Sequence, residues 1–266
     1  MSVVYLLGHP VAHSLSPVMQ NAAFAALGLP HRYELLDVAA AELPAAVDRI
    51  RSGELLGANV TVPHKEAIVR SLDRLAGDAA RLGVANTIVL EAREIVGHNT
   101  DAYGFDQANR ERGFIANDRV IVLGAGGGAR AVVLALLRAQ NEVWVSARDG
   151  RRAEALVASV SDEDGRRAKT VSWEGLDALD VDAVVNATPL GLAGEDPLAG
   201  RRLPALVADI VPRRSTPLLE RAKAQGGDVM DGLGMLLHQA AASFRIWTGR
   251  DAPLEVMRAA LYASVG

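Results

Sequence analysis

Polar and apolar residues alternate through Asn59-Val60-Thr61-Val62, Pro63 ends the alternation, and Lys65 follows two positions later. A period of two marks a strand with unlike faces, so Asn59 and Thr61 share one face and Val60 and Val62 the other. Pro63 suits the first position of a following helix, where its missing N–H costs nothing. That puts Lys65 in the first helical turn, where the helix dipole disfavours a cation. The bland reading is a core strand with two wet side chains. The functional reading is a face of amide, hydroxyl and ammonium fit to hold a small polyhydroxy molecule.

The same kind of reading extends along the first hundred residues. Val3 to Gly8 is a buried strand ending at a glycine. Ser16-Pro17 opens a helix that runs to about Leu27 and stops at Gly28, with Ser16 as N-cap. Ser14 adds a second hydroxyl at that helix start, where unpaired N–H groups favour a carboxylate. Tyr33 to Val38 is a strand, and Ala40 to Gly53 a helix with Leu43, Val47 and Ile50 on one side. Ala85 to Leu90 and Ile95 to Gly97 are further strands, the second running into a polar turn at Asn99-Thr100-Asp101. Ser14, Asn59, Thr61, Lys65, Asn86 and Asp101 therefore collect at strand ends, where open α/β sheets bind ligands.

The second half opens on an apolar strand, Arg119 to Leu123, followed at once by Gly124-Ala125-Gly126-Gly127-Gly128-Ala129 and an apolar helix from Ala131 to Ala139. Strand, glycine turn and helix in that order are the context a dinucleotide loop requires. Gly124 would make the tight turn, and Gly126 would let backbone approach a pyrophosphate. No Gly-Lys-Ser/Thr follows, so a P-loop is excluded. The next strand, Glu142 to Ser146, runs into Arg148 and Asp149, with Arg151 and Arg152 beyond. Arginines there favour a 2′-phosphate and hence NADP; Asp149 is late for the ribose acid of an NAD site but keeps NAD open. The bland reading of Arg151 and Arg152 is the solvated start of a helix. Val181 to Pro189 and Leu206 to Val211 continue the doubly wound pattern.

Gly232 precedes a helix through Trp247, whose stripe is Leu233, Leu236, Leu237, Ala240, Phe244 and Trp247. Met235 and Gln239 lie off that stripe, as expected for solvent or for a cleft lining. Pro253 to Val265 is a second amphipathic helix.

Composition narrows the function. The charge balance of 28 basic to 32 acidic residues, without a dense basic run, argues against nucleic acid as partner. The chain has no cysteine, which excludes disulfides and thiolate chemistry, and its six histidines form no metal-ligand pair, so no metal is expected. No window reaches the apolar length of a membrane span, and the start lacks a signal-peptide pattern. A cytoplasmic protein is expected, with no membrane partner and as monomer or homodimer.

His13 to Pro17, Asn59 to Lys65, Asn86-Thr87, Asn99 to Asp101, Gly124 to Ala131, Asn186-Ala187-Thr188 and Gly232 to Gln239 together resemble the shikimate dehydrogenases, in order and spacing over essentially the whole chain. The resemblance implies an α/β protein with two domains. Residues 1–102, completed by the helices of 232–266, form a mixed-sheet α/β substrate domain, and 103–231 a Rossmann-type doubly wound dinucleotide-binding domain. It implies NADP-linked interconversion of 3-dehydroshikimate and shikimate, a step of aromatic amino acid biosynthesis. Lys65 and Asp101 match the catalytic pair. Ser14 and Ser16 match the carboxylate site, and Asn59, Thr61, Asn86, Asp101 and Gln239 match positions that hold the ring hydroxyls. Gly124 to Ala129, Arg148, Asp149, Arg152, Thr188, Gly232 and Met235 fall on the cofactor side.

The departures are specific. Ser146-Ala147-Arg148 stands where the family usually has Asn-Arg-Thr, and Asp149 resembles the aspartate of the quinate/shikimate branch, which accepts NAD. No tyrosine follows Asp209-Ile210-Val211, and Gln20 stands at a common histidine. A quinate or aminoshikimate dehydrogenase therefore stays open as an alternative. So do a folate-type dehydrogenase and, in another class, a nucleotide-binding sensor without turnover.

Overall fold

The computed structural model describes residues 2–113 and 115–265; Met1, Phe114 and Gly266, which fall within the expected domain ranges, lie outside them. The chain divides into two compact units, Met1–Thr100 with Leu237–Gly266, and Asp101–Leu236.

The first unit begins with β1 (Ser2–Gly8), α1 (Ser16–Ala26), β2 (His31–Asp37), α2 (Leu43–Arg51) and β3 (Leu55–Val60). It continues through β4 (Arg74–Leu75), α3 (Asp78–Leu82), β5 (Thr87–Glu91) and β6 (Glu94–His98). The strands form one sheet in the order β2-β1-β3-β5-β6-β4. β1 is parallel to β2 and β3, whereas β5 runs antiparallel to both β3 and β6, so the sheet is mixed. Leu43, Val47 and Ile50 of α2 are buried with Leu7, Leu55, Ala58, Val60 and Ile88 of the strands in one apolar cluster. The apolar side of α2 thus has the sheet to cover it.

The second unit contains α4 (Asp101–Arg112), β7 (Arg119–Leu123), α5 (Gly127–Arg138), β8 (Glu142–Ser146), α6 (Gly150–Ser159) and β9 (Lys169–Thr170). Then follow β10 (Ala183–Asn186), β11 (Leu206–Asp209), α7 (Pro217–Ala224) and β12 (Asp228–Met230). Its sheet, in the order β12-β11-β10-β7-β8-β9, is parallel throughout. Parallel sheets are covered on both faces, and the central strands β7 and β10 read accordingly as buried apolar runs, Val120 to Leu123 and Ala183 to Val185. The strand order reverses at β7, between β10 and β8, which is the switch point of a doubly wound sheet. Two helices end the chain, α8 (Leu233–Thr248) and α9 (Leu254–Ser264), and the division between units falls within α8. Among the described residues no helix is long and apolar enough to cross a membrane, and no cluster of histidines and carboxylates could hold a metal.

Several local expectations change. No α-helix begins at Pro63. β3 ends at Val60, and Thr61 to Glu66 form turns that lead into a short 3-10 segment, Ala67–Ser71. The chain is held there by the His64 N–H to the Thr61 carbonyl at 2.8 Å and by the buried His64 ring bonding the Val38 carbonyl at 2.8 Å. Lys65 therefore sits in a turn ahead of that segment, not in the first turn of an α-helix. Ser16 is the first residue of α1 rather than its cap, because Leu15 occupies the cap position. Asp101 is the first residue of α4 rather than part of a free turn, and α5 starts at Gly127, ahead of Ala131. Met235, expected off the core, is buried. One residue earlier, Gly234 lies close against Ala108 of α4, so this turn of α8 is covered on more than its apolar stripe.

Gly57 of β3 shows how tightly α8 is seated in the first unit. A Cβ there would lie 2.5 Å from the Ile88 carbonyl and 2.6 Å from the Trp247 ring. The Trp247 indole N–H donates to that same carbonyl at 3.1 Å. Gly57→Ala should cost on the order of 1–3 kcal/mol by overpacking, read as a lower urea midpoint with altered Trp247 fluorescence. An unchanged midpoint would contradict this packing.

Candidate active site

In the first unit the polar residues at the strand ends form one buried network. Asn59, on β3 opposite Thr87 of β5, is its junction. The Tyr33 hydroxyl donates to Asn59 Oδ1 at 2.8 Å. Asn59 Nδ2 donates to the Asn86 carbonyl at 2.9 Å and to the Thr87 and Ser243 hydroxyls, each at 3.1 Å. The Asn86 side chain is engaged in turn. Its Oδ1 accepts the Thr100 N–H and the Thr87 hydroxyl, both at 2.9 Å, and its Nδ2 donates to the Thr100 hydroxyl at 2.9 Å and to Gln239 Oε1 at 3.4 Å. Ser243, one helical turn after Gln239, donates to the Gln239 carbonyl at 2.9 Å. Buried polar groups are costly unless paired, and a satisfied network of this kind fixes its members' rotamers.

Around this junction stand the other expected residues of the unit. Ser16 is buried, and its hydroxyl bonds that of Tyr33; burial pushes the Tyr33 phenol far up, against the pull of Ser16. The Ser14 hydroxyl accepts the Ser16 N–H at 3.3 Å, so Ser14 does part of the capping assigned above to Ser16. Thr61 lies just past the end of β3, its N–H on the Leu7 carbonyl at 2.9 Å. Lys65 is half-buried, and its carbonyl accepts the Ala85 N–H at 3.1 Å, next to Asn86 in the chain. Gln20 is fully buried and donates to the Ala240 carbonyl at 2.9 Å, tying α1 to α8. The structure thus links Ser14, Ser16, Asn59, Asn86 and Gln239 directly or through Tyr33, and holds Thr61 and Lys65 through their backbones. Asp101, buried at the N-terminus of α4, belongs to the second unit.

Sequence reasoning missed Tyr33, Thr100 and Ser243. A tyrosine pointing into a sheet interior requires a partner for its hydroxyl, and a serine four residues beyond Gln239 on a helix with an apolar stripe was the other available signal.

In the second unit, Gly124 takes φ 111°, and a Cβ on it would lie 2.9 Å from the Ala187 carbonyl. Only glycine allows β7 to turn so close to the strand beside it. Gly126 differs: its φ is −88° and a Cβ would meet nothing within 4 Å. The backbone there borders open space at the start of α5, whose cap residue Gly126 contributes no side-chain bond. Helix N–H groups beside a glycine turn of this kind fit a dinucleotide pyrophosphate. Gly128 packs on Ile210, and buried Ala125 and Ala129 complete the loop. Gly232 is a contact glycine, since a Cβ would overlap the Val211 carbonyl.

Arg148, Asp149 and Arg152 are exposed beyond β8. Asp149 caps α6, accepting the Arg151 N–H at 3.1 Å and its Nε at 3.4 Å. Ser146, the last residue of β8, is buried, and its hydroxyl has no partner among the described residues. Thr188 is half-buried, its hydroxyl donating to Asn186 Oδ1 at 2.6 Å.

Comparison with known proteins adds the family. Residues 6–88 match the shikimate dehydrogenase substrate binding domain, and residues 232–262 match the shikimate 5'-dehydrogenase C-terminal domain. The chain is 43% identical to a shikimate dehydrogenase (NADP(+)) of Moorella thermoacetica, covering 99% of this chain and 94% of that protein. It is 40% identical to the enzyme of that name from Methanopyrus kandleri, covering 98% and 94%. Among solved structures, shikimate 5-dehydrogenase of Thermus thermophilus in complex with NADP(H) and shikimate has a TM-score of 0.89 at 38% identity, covering 99% of this chain and all of that one. A quinate dehydrogenase of Corynebacterium glutamicum in complex with NAD has a TM-score of 0.87 at 31% identity, covering 98% of this chain and 99% of that one. With relatives this similar over nearly its whole length, the chain belongs to the shikimate dehydrogenase family.

Proposed function

We propose that the protein is an NADP-dependent oxidoreductase that interconverts 3-dehydroshikimate and shikimate. The observation that carries this reading is the pairing of an interlinked polar cluster in one unit with a glycine cradle at a sheet switch point in the other. Ser14 and Ser16 supply hydroxyls for the substrate carboxylate. Asn86, held by Thr100, and Gln239, whose Oε1 accepts from Asn86, present their amides to ring hydroxyls; Asn59 supports them from within, its polar atoms engaged by Tyr33, Thr87 and Ser243. Thr61 adds a further hydroxyl.

The dinucleotide is held by the Gly124–Ala129 loop, with Thr188, Gly232 and Met235 on the side of β10 to β12. Arg148 and Arg152 favour a 2′-phosphate. Asp149, engaged as the cap of α6, is the weaker choice for a ribose hydroxyl, which supports NADP over NAD. Bound there, the nicotinamide supplies hydride chemistry. What the chain must supply is proton transfer at the C3 oxygen, removing the proton in oxidation and returning it in reduction. Lys65 is the acid/base in this reading, and Asp101 the carboxylate that orients it. Fixed rotamers in the Asn59 network keep the ring's other hydroxyls from exchanging places with the reacting one.

A single assay tests the function: absorbance of reduced nicotinamide with shikimate and with quinate, each offered NADP+ and NAD+. Turnover should be fastest with shikimate and NADP+. Quinate with NAD+ as the fastest pair would shift the reading to the quinate branch, and silence in all four would refute it. Lys65→Ala should lower kcat by roughly 10² or more while leaving NADP+ affinity within a few-fold; near-normal kcat would remove Lys65 from the chemistry. The two glycines should separate. Gly126→Ala should keep the unfolding midpoint and weaken NADP+ binding by on the order of tenfold, whereas Gly124→Ala should lower the midpoint itself. Equal loss of stability in both would argue against a cradle at Gly126.

A further inference from the structure

Asn186 and Asp209 occupy the last rung of two neighbouring parallel strands, β10 and β11. They are 0% and 1% exposed. Asp209 Oδ1 accepts from Asn186 Nδ2 and from the Val211 N–H, each at 3.0 Å, and Oδ2 accepts the Thr216 hydroxyl at 2.8 Å. The charged groups around this carboxylate are committed elsewhere. Asp196, which opposes its ionisation, is paired with Arg221 of α7 at 2.6 Å. Glu195 holds the Gly191 and Ala193 N–H groups at 3.0 and 3.2 Å.

An ionised carboxylate can only accept hydrogen bonds. Asn186 must therefore turn its NH2 toward Asp209, which leaves its Oδ1 facing the loop after β10. There Oδ1 accepts the Thr188 N–H at 3.1 Å and the Thr188 hydroxyl at 2.6 Å. Asn186 Nδ2 also donates to the Leu190 carbonyl at 2.8 Å, and the Leu190 N–H donates to the Thr188 hydroxyl at 3.2 Å. Each hydrogen bond along Thr216, Asp209, Asn186, Thr188 and Leu190 has one allowed direction: the carboxylate holds the Asn186 amide from the β11 side, and the Thr188 N–H and Leu190 carbonyl hold it the same way from the loop. In a Rossmann sheet the adenine ribose lies beyond the strand on one side of the switch point. On the dinucleotide site proposed above, Arg148 and Asp149 put that ribose beyond β8, and the nicotinamide half would then lie toward β10 and β11, on the other side of β7.

We propose that Asp209 is a positioning residue that fixes the orientation of the Asn186 amide and, through it, the Thr188 turn against which the nicotinamide half of the cofactor rests. The part of this inference that concerns the cofactor depends on the dinucleotide site proposed above. Burial pushes the Asp209 carboxyl up to about 6, against hydrogen bonds that pull it down. The carboxylate is thus present above that pH and lost as pH falls through it, and the directed chain should follow the same course.

The test reads the Thr188 backbone amide by two-dimensional NMR of the cofactor-free protein, from roughly pH 5 to 8. The cofactor is left out because a 2′-phosphate titrates in the same range. In the unmodified protein the Thr188 amide should move with a midpoint near 6. Asp209→Asn should flatten that titration, and Thr216→Val, which removes one donor to the carboxylate, should move the midpoint upward. Above the midpoint, Asp209→Asn should raise the Kd for NADP+ by about tenfold. A Thr188 amide that does not titrate in the unmodified protein overturns the proposal, and needs no variant to fold. So does a folded Asp209→Asn variant whose Kd stays within twofold. If the unmodified protein fails to bind NADP+, the dinucleotide reading fails by itself, while the Thr188 titration still decides what Asp209 orients.

Discussion

The carboxamide of Asn59 is the interaction on which the interior of the first unit depends. It receives the Tyr33 hydroxyl from β2 and gives hydrogens toward β5, the Asn86 loop and α8. Four separate pieces of chain thus meet at one amide in a place closed to water. An apolar residue there would leave the Tyr33 hydroxyl to Ser16 and the Asn86 carbonyl to the Val60 N–H, and would remove the hydrogen bonds that join them to Thr87 and Ser243. The benefit is precision: the Asn86 amide is fixed by Thr87 and Thr100 and in turn donates to Gln239 Oε1. A site that must tell apart the similar hydroxyls of one ring gains from such rigidity, because a small misplacement weakens both binding and proton transfer.

The second unit meets a different constraint, close approach of backbone to backbone. Gly124 and Gly232 are glycine because a side chain would collide with the carbonyls of Ala187 and Val211. Gly126 differs from both, since a Cβ on it would meet no protein atom within 4 Å. Polar residues then finish the strand ends. Ser146 closes β8, Asn186 closes β10 and Asp209 closes β11, all of them buried.

Much of this was legible in the residues. The strands β7 and β8 fall on Arg119–Leu123 and Glu142–Ser146 as their apolar runs indicate, because a parallel strand buried on both faces has little else to say. The glycine loop was legible because its strand and helix flank it. The stretch after Asn59 was not. A proline after a strand reads equally well as a helix start or as part of a turn, and the deciding contact, His64 on the Val38 carbonyl, joins residues far apart in the chain. Ser16 failed as a cap for a similar reason, since its hydroxyl is drawn inward to Tyr33. Local patterns carry local structure; the partners that fix polar side chains in a core come from elsewhere in the sequence. Asn59 itself was noticed for its polar face, yet that face is turned to protein.

The central claim is that hydride passes between the C3 position of shikimate and a nicotinamide held by this chain. Shikimate carrying deuterium at C3, incubated with the protein and NADP+, tests it directly by mass spectrometry of the recovered cofactor. The account predicts reduced NADP that carries the label, together with unlabelled 3-dehydroshikimate. Label retained in the substrate, or lost to water without appearing in the cofactor, would contradict it.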